Sequence, residues 1–73
     1  MSEPATAEIE VNGKRGPLAA ATLAELLDQK GIDTKGRGVA IAVNGSVVTR
    51  STWATTALRP NDVVEIVQAK QGG

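Results

Sequence analysis

The sequence predicts a small α+β domain in which one helix covers one face of a mixed sheet of four to five strands. Three observations carry this reading. Two Asn-Gly dipeptides, Asn12-Gly13 and Asn44-Gly45, interrupt alternating apolar runs; a capped amphipathic segment lies between them; and a β-branched run, Val63 to Val67, follows near the end of the chain. The 73 residues make one domain, 1–73, with 1–6 read as a flexible leader and 69–73 as a flexible Gly-Gly tail. A chain of this size buries only about 60% of the surface its unfolded form exposes, so it has no room for a large active-site cleft.

In chain order, Ala7 to Val11 alternates charged and apolar residues with the period of a half-buried strand, which puts Ile9 and Val11 on the core side. Asn12-Gly13 accepts the positive φ values of a two-residue hairpin turn and returns the chain antiparallel over Lys14 to Pro17. Glu8 and Glu10 share the opposite strand face. As two carboxylates without a histidine or a pocket-forming loop, they are read as a solvated edge that discourages intermolecular pairing. Lys14, Arg15, Lys35 and Arg37 are read as solvated loop charges.

Thr22-Leu23-Ala24-Glu25 has the form of a capping box and starts a helix there. Leu23, Leu26 and Leu27 fall on one face of it. Gly31 ends it in a left-handed cap, Lys30 sits in the last turn at the negative end of the dipole, and Ile32 folds back. After a polar connection from Asp33 to Gly38, Val39-Ala40-Ile41-Ala42-Val43 forms a strand with Val39, Ile41 and Val43 inward. Asn44-Gly45 turns it back over Ser46 to Thr49.

A short helical turn from about Ser51 carries Trp53, read as a packing anchor that would become a hot spot if exposed at an interface. Arg59-Pro60-Asn61-Asp62 is a turn, with proline presetting φ and asparagine tolerating the left-handed region. It launches the last strand with Val64 and Ile66 inward. The order β-β-α-β-β-β, with a single helix, is that of a β-grasp domain whose second sheet face stays open.

Composition narrows the chemistry. Lysine plus arginine and aspartate plus glutamate number eight each, so no bulk field steers nucleic acid or an anionic membrane. One aromatic residue leaves no stacking platform for single strands. With neither cysteine nor histidine, the chain has no thiolate nucleophile, disulfide, imidazole base or structural zinc site. No catalytic residue, bound cofactor or metal site is expected. The absence of a long apolar run and of a signal-peptide layout at Met1-Ser2-Glu3-Pro4 makes the cytoplasm the expected compartment.

Two features remain as candidate sites. The outward set Ala40, Ala42, Val63, Glu65 and Val67 forms a small apolar patch suited to a protein partner. The chain closes on Gly72-Gly73, where a terminal glycine carries a carboxylate without a neighbouring Cβ and its glycine lead-in threads narrow channels. Extended, the residues from Gln68 to Gly73 reach roughly 20 Å at about 3.3 to 3.6 Å per residue. Such a tail suits acyl delivery into a partner's buried site. Activating the carboxylate takes adenylation by ATP, and with no GxxxxGK[ST] phosphate loop here the ATP site belongs to another protein. Without a thiol, a chain that ferried sulfur could hold it only as a thiocarboxylate.

The run Val43-Asn44-Gly45-Ser46-Val47-Val48-Thr49-Arg50-Ser51-Thr52-Trp53, followed by Asp62 to Val67 and by Gly72-Gly73, resembles the thiamine-pathway sulfur carrier (ThiS) family of ubiquitin-like β-grasp domains. The resemblance covers most of the chain. It implies a cycle in which an adenylating, ubiquitin-activating-like enzyme activates Gly73, a sulfurtransferase relay converts it to a thiocarboxylate, and thiazole synthase takes the sulfur into the thiazole of thiamine. Gly72 would be the lead-in and the open sheet face the dock for both partners. Asn61 departs from the family-like turn, where glycine is expected, and Ala69-Lys70-Gln71 is less apolar than many such tails. Three alternatives stay open: a small subunit of molybdopterin synthase, which the "VNGxxVxRxxW" run and short length oppose; a ubiquitin-like protein modifier joined to lysines through Gly73; and a bare interaction module.

Overall fold

The computed structural model describes residues 7–33 and 38–68. The expected leader at 1–6, the expected tail at 69–73 and the charges Lys35 and Arg37 lie outside the described residues. In chain order the elements are β1 (Glu8–Val11), β2 (Lys14–Pro17), α1 (Leu23–Gln29), β3 (Val39–Val43), β4 (Ser46–Val48), a 3₁₀ helix (Arg50–Thr55) and β5 (Val63–Gln68). The strands form one five-stranded sheet in the order β2-β1-β5-β3-β4. The last strand thus enters the middle, parallel to β1 and antiparallel to β3. This is the mixed β-grasp sheet that the element order predicted.

Both hairpins close through two-residue turns of positive φ, 50° and 84° at Asn12 and Gly13 and 53° and 85° at Asn44 and Gly45. These are the values of the type I′ turn, whose twist matches that of its strands. The turns set the registers Val11↔Lys14 and Val43↔Ser46.

Helix α1 is capped at both ends. The Thr22 hydroxyl accepts from the Glu25 N–H at 3.2 Å. Glu25 reaches back one residue further than an ordinary capping box, accepting from the Ala21 N–H at 2.7 Å. At the other end Gly31, at φ 73°, completes a Schellman motif in which the N–H groups of Gly31 and Ile32 donate to the carbonyls of Asp28 and Leu27. Lys30 is the C-cap residue itself, one position beyond the last turn where the sequence placed it.

The core lies between α1 and the inner sheet face. Ile9, Leu23, Leu27, Ile41 and Val64 are its most enclosed side chains, with Ile66, Leu26, Leu58 and Trp53 also buried. Trp53 is 3% exposed, and its indole N–H donates to the Val48 carbonyl at 2.9 Å. It therefore packs the 3₁₀ helix against β4, the anchoring role read from the sequence. The Arg50 guanidinium stands 5.4 Å from the ring centroid, within cation–π range.

Several expectations need correction. Strand β1 is not an edge, because β2 and β5 flank it. Glu8 pairs with Arg15, whose Nε lies 3.1 Å from Glu8 Oε1 and whose Nη2 donates to Asn61 Oδ1 at 3.0 Å. Lys14 and Arg15 belong to β2 rather than to a loop. Strand β4 stops at Val48, the helical turn begins at Arg50, and β5 extends to Gln68. At Asn61 the departure from the family-like turn proves conservative. Its φ of 71°, with Pro60 before it and a bond from Asp62 N–H to the Arg59 carbonyl at 3.1 Å, gives the pattern of a type II turn, which asparagine tolerates as glycine does.

Candidate functional site

Because side chains alternate along a strand, burying Ile41, Val64 and Ile66 turns Ala40, Ala42, Val63, Glu65 and Val67 to the other face of the sheet. No helix of the described residues covers that face. The β3–β5 register sets Ala40 opposite Val67 and Ala42 opposite Glu65. The two alanines leave a low floor, and a shallow groove of about 150 Å³ runs over it, lined by Ala40, Ala42, Glu65, Val67 and Val47, with Ile41 below.

Val67 and Val47, 61% and 78% exposed, are the exposed large apolar side chains among the described residues. Val47 was not among the outward residues read from the sequence, although its signal was present. A two-residue turn at Asn44-Gly45 pairs Val43 with Ser46, so Val47 faces Ala42 across the ladder and shares its outward direction. Val63 lies apart from the groove. It pairs with Glu10 of β1 at the opposite end of β5 and is half-buried.

Asn44 fixes the start of β5 against the β3–β4 turn. Its backbone N–H donates to the Val63 carbonyl at 2.7 Å, its Oδ1 accepts from the Val63 N–H at 2.9 Å, and its Nδ2 donates to Asp62 Oδ1 at 3.0 Å. Asp62 in turn accepts from the Arg59 N–H at 2.8 Å. The strand that leads toward the chain's last residues is thus tied at its root. Gly72 and Gly73, the expected carrier site, lie outside the described residues.

A larger depression of about 420 Å³ lies on the helix side, between the first hairpin and α1, with Lys14, Lys30 and Gln29 among its lining. Gly16, paired with Ile9, is part of its wall, and a Cβ there would meet nothing within 4 Å. No helix among the described residues is long and apolar enough to cross a membrane.

The family model described as the ThiS family matches residues 6–73. The chain belongs to the ThiS family. It is similar to the sulfur carrier protein ThiS of Thermus thermophilus, with 38% identity over 63 residues, 86% of this chain and 95% of the relative. The crystal structure of the thiamine biosynthesis protein ThiS from Geobacter metallireducens matches with a TM-score of 0.72 at 28% identity, covering 90% of this chain and 99% of the other. An NMR solution structure of a thiamine biosynthesis protein from the same organism gives a TM-score of 0.73 at 28% identity, covering 90% and 87%. The function that follows from this homology is that of a small sulfur carrier in thiamine biosynthesis. The molybdopterin-synthase and modifier alternatives are not favoured.

Proposed function

We propose that this ThiS-family chain carries sulfur as a thiocarboxylate on Gly73 and is a cosubstrate rather than a catalyst. The Gly73 carboxylate attacks the α-phosphorus of ATP held by an adenylating partner, and pyrophosphate leaves. The outer sulfur of a persulfide on a sulfurtransferase relay then attacks the acyl carbonyl and displaces AMP, and a thiol reduces the acyl disulfide so formed, leaving the thiocarboxylate and a disulfide. Thiazole synthase takes the sulfur from the resulting thiocarboxylate, an oxygen from water or the sulfur acceptor takes its place on the acyl carbon, and the regenerated carboxylate re-enters the cycle. ATP is the partner's cosubstrate, and the cycle runs in the cytoplasm.

The observation that carries this reading is that the family match runs through residue 73 and so includes Gly72 and Gly73. Gly72, lacking a Cβ, serves as the lead-in through a narrow channel. The open face supports the same account. Ala40, Ala42, Glu65 and Val67, joined by Val47 and with Val63 at the margin, form the surface on which the adenylating enzyme and thiazole synthase dock in turn. A groove whose polar member is a single central carboxylate suits a partner surface that is apolar with one basic group.

A genetic test is direct. In a strain lacking its own copy, the full chain restores growth without added thiamine, and the chain shortened by Gly73 does not, although it folds. Growth on the shortened chain would overturn the proposal.

A further inference from the structure

Pairing of β1 with β5 reaches Val11↔Val64, and the chain then turns away at Asn12-Gly13. Strand β5 continues to Gln68. Over this extension it keeps β3 on one side, through Ile41↔Ile66, Ala40↔Val67 and Val39↔Gln68, but has outrun β1 on the other. The parallel ladder is regular up to this point. The N–H groups of Glu10 and Asn12 donate to the carbonyls of Asp62 and Val64, each at 2.9 Å. In a regular parallel ladder the next bond would run from the Ile66 N–H to the backbone carbonyl of Asn12. Asn12 is at φ 50°, in the left-handed conformation of the turn. The Ile66 N–H instead donates to the side-chain Oδ1 of Asn12 at 2.8 Å, in a part-buried bond between residues 54 apart in sequence.

We infer that Asn12 is a positioning residue for the carrier reaction: its amide oxygen replaces a backbone carbonyl, supplies the last rung on the β1 side of β5, and holds Val67 in place on the docking face. The inference rests on the reading of that face and of Gly73 given above. Glycine would serve the turn equally well, since both central positions need only a positive φ. Only asparagine and aspartate combine that tolerance with an acceptor. Without the rung, the end of β5 has ladder bonds on one side alone. A partner that docks on Val67 must then order this segment as it binds, which weakens binding without touching the acyl chemistry.

The experiment compares the full chain with Asn12→Gly, Asn12→Asp and Thr22→Ala. The last removes the α1 cap far from β5 and is a control for general loss of stability. Two quantities are read: amide exchange at Ile66 by NMR, and KM and kcat for adenylation by the host's activating enzyme. Asn12→Gly is expected to raise Ile66 exchange roughly fivefold or more, the factor that one net hydrogen bond is worth. It should raise KM by about the same factor with kcat unchanged, as for lost uniform binding. Asn12→Asp restores both, and Thr22→Ala leaves KM alone. Unchanged Ile66 exchange in Asn12→Gly would overturn the rung. Faster exchange with an unchanged KM, or an equal rise in Thr22→Ala, would overturn the positioning role. If the unaltered chain is not adenylated at all, the positioning role falls with the carrier reading, while the exchange data still decide the rung.

Discussion

Replacing Asn44 by glycine tests how the root of β5 is held. Glycine keeps the type I′ turn, because φ values of 53° and 85° at positions 44 and 45 suit it. The backbone bond to the Val63 carbonyl survives. What is lost is the pair of side-chain bonds, Oδ1 to the Val63 N–H at 2.9 Å and Nδ2 to Asp62 Oδ1 at 3.0 Å. A net bond contributes about 0.5 to 1.5 kcal/mol, and Asn44 is exposed, so the two together come to about 1.5 kcal/mol. In a domain of this size each kcal/mol moves Tm by roughly 4 to 8 °C, which gives a fall of about 6 to 12 °C. Urea unfolding followed by fluorescence is the natural assay, since Trp53 is the only aromatic residue and is 3% exposed. Asn44→Asp keeps the acceptor but sets a second carboxylate against Asp62. It should fall below the glycine variant at low salt and recover in high salt as the repulsion is screened. A glycine variant with the urea midpoint of the unaltered chain would refute the claim that these bonds hold β5, and an aspartate variant more stable than glycine at low salt would contradict the contact with Asp62.

Val67→Glu and Val47→Glu change exposed side chains, so stability should move by no more than about 0.5 kcal/mol. Each places a carboxylate on the groove and should weaken binding to the adenylating enzyme about tenfold or more, measured by calorimetry; unchanged affinity would remove the groove from the docking surface. At Asn61, where φ is 71°, a glycine should melt close to the unaltered chain because it keeps the turn and loses only the exposed bond from Arg15. Valine there forces a β-branched residue into the left-handed region and should cost about 1 to 3 kcal/mol by thermal melting; a valine variant of unaltered Tm would refute that conformation. Leu27→Ala, at a fully buried position, should cost about 2 to 5 kcal/mol in the same melts, and a smaller loss would mean that the core closes over the cavity.

The parts of this fold legible in the sequence are those set by neighbours along the chain. Asn12-Gly13 and Asn44-Gly45 announced their turns, Thr22 and Glu25 the start of the helix, and the alternation in Val39 to Val43 its buried face. The outward direction of Ala40 and Val67 follows from the same period of two. What was not legible depends on partners distant in sequence. Nothing local in Val63 to Val67 says that this strand enters between β1 and β3, and the misreading of Glu8 and Glu10 as an edge follows from that. The asparagines carried a double meaning that propensity cannot resolve. Asn12 and Asn44 suit their turns on local grounds, but they are also fastened to Ile66 and Val63, contacts that exist only once β5 is in place. Arg15, read as a loop cation, finds Glu8 and Asn61 for the same reason. Of the candidate site, residue type pointed only to acyl delivery by Gly72-Gly73, and the sulfur came with the family resemblance, while the groove needed the register that adds Val47 to it.

The central claim is that Gly73 carries the sulfur. Its most direct test is the intact mass of the chain after incubation with ATP, the host's activating enzyme and a sulfur donor, with fragmentation to locate any change. The account predicts replacement of one oxygen by sulfur, confined to Gly73 and dependent on ATP. An unmodified terminus in the presence of an activating enzyme shown to be active, or sulfur placed on any other residue, would contradict it.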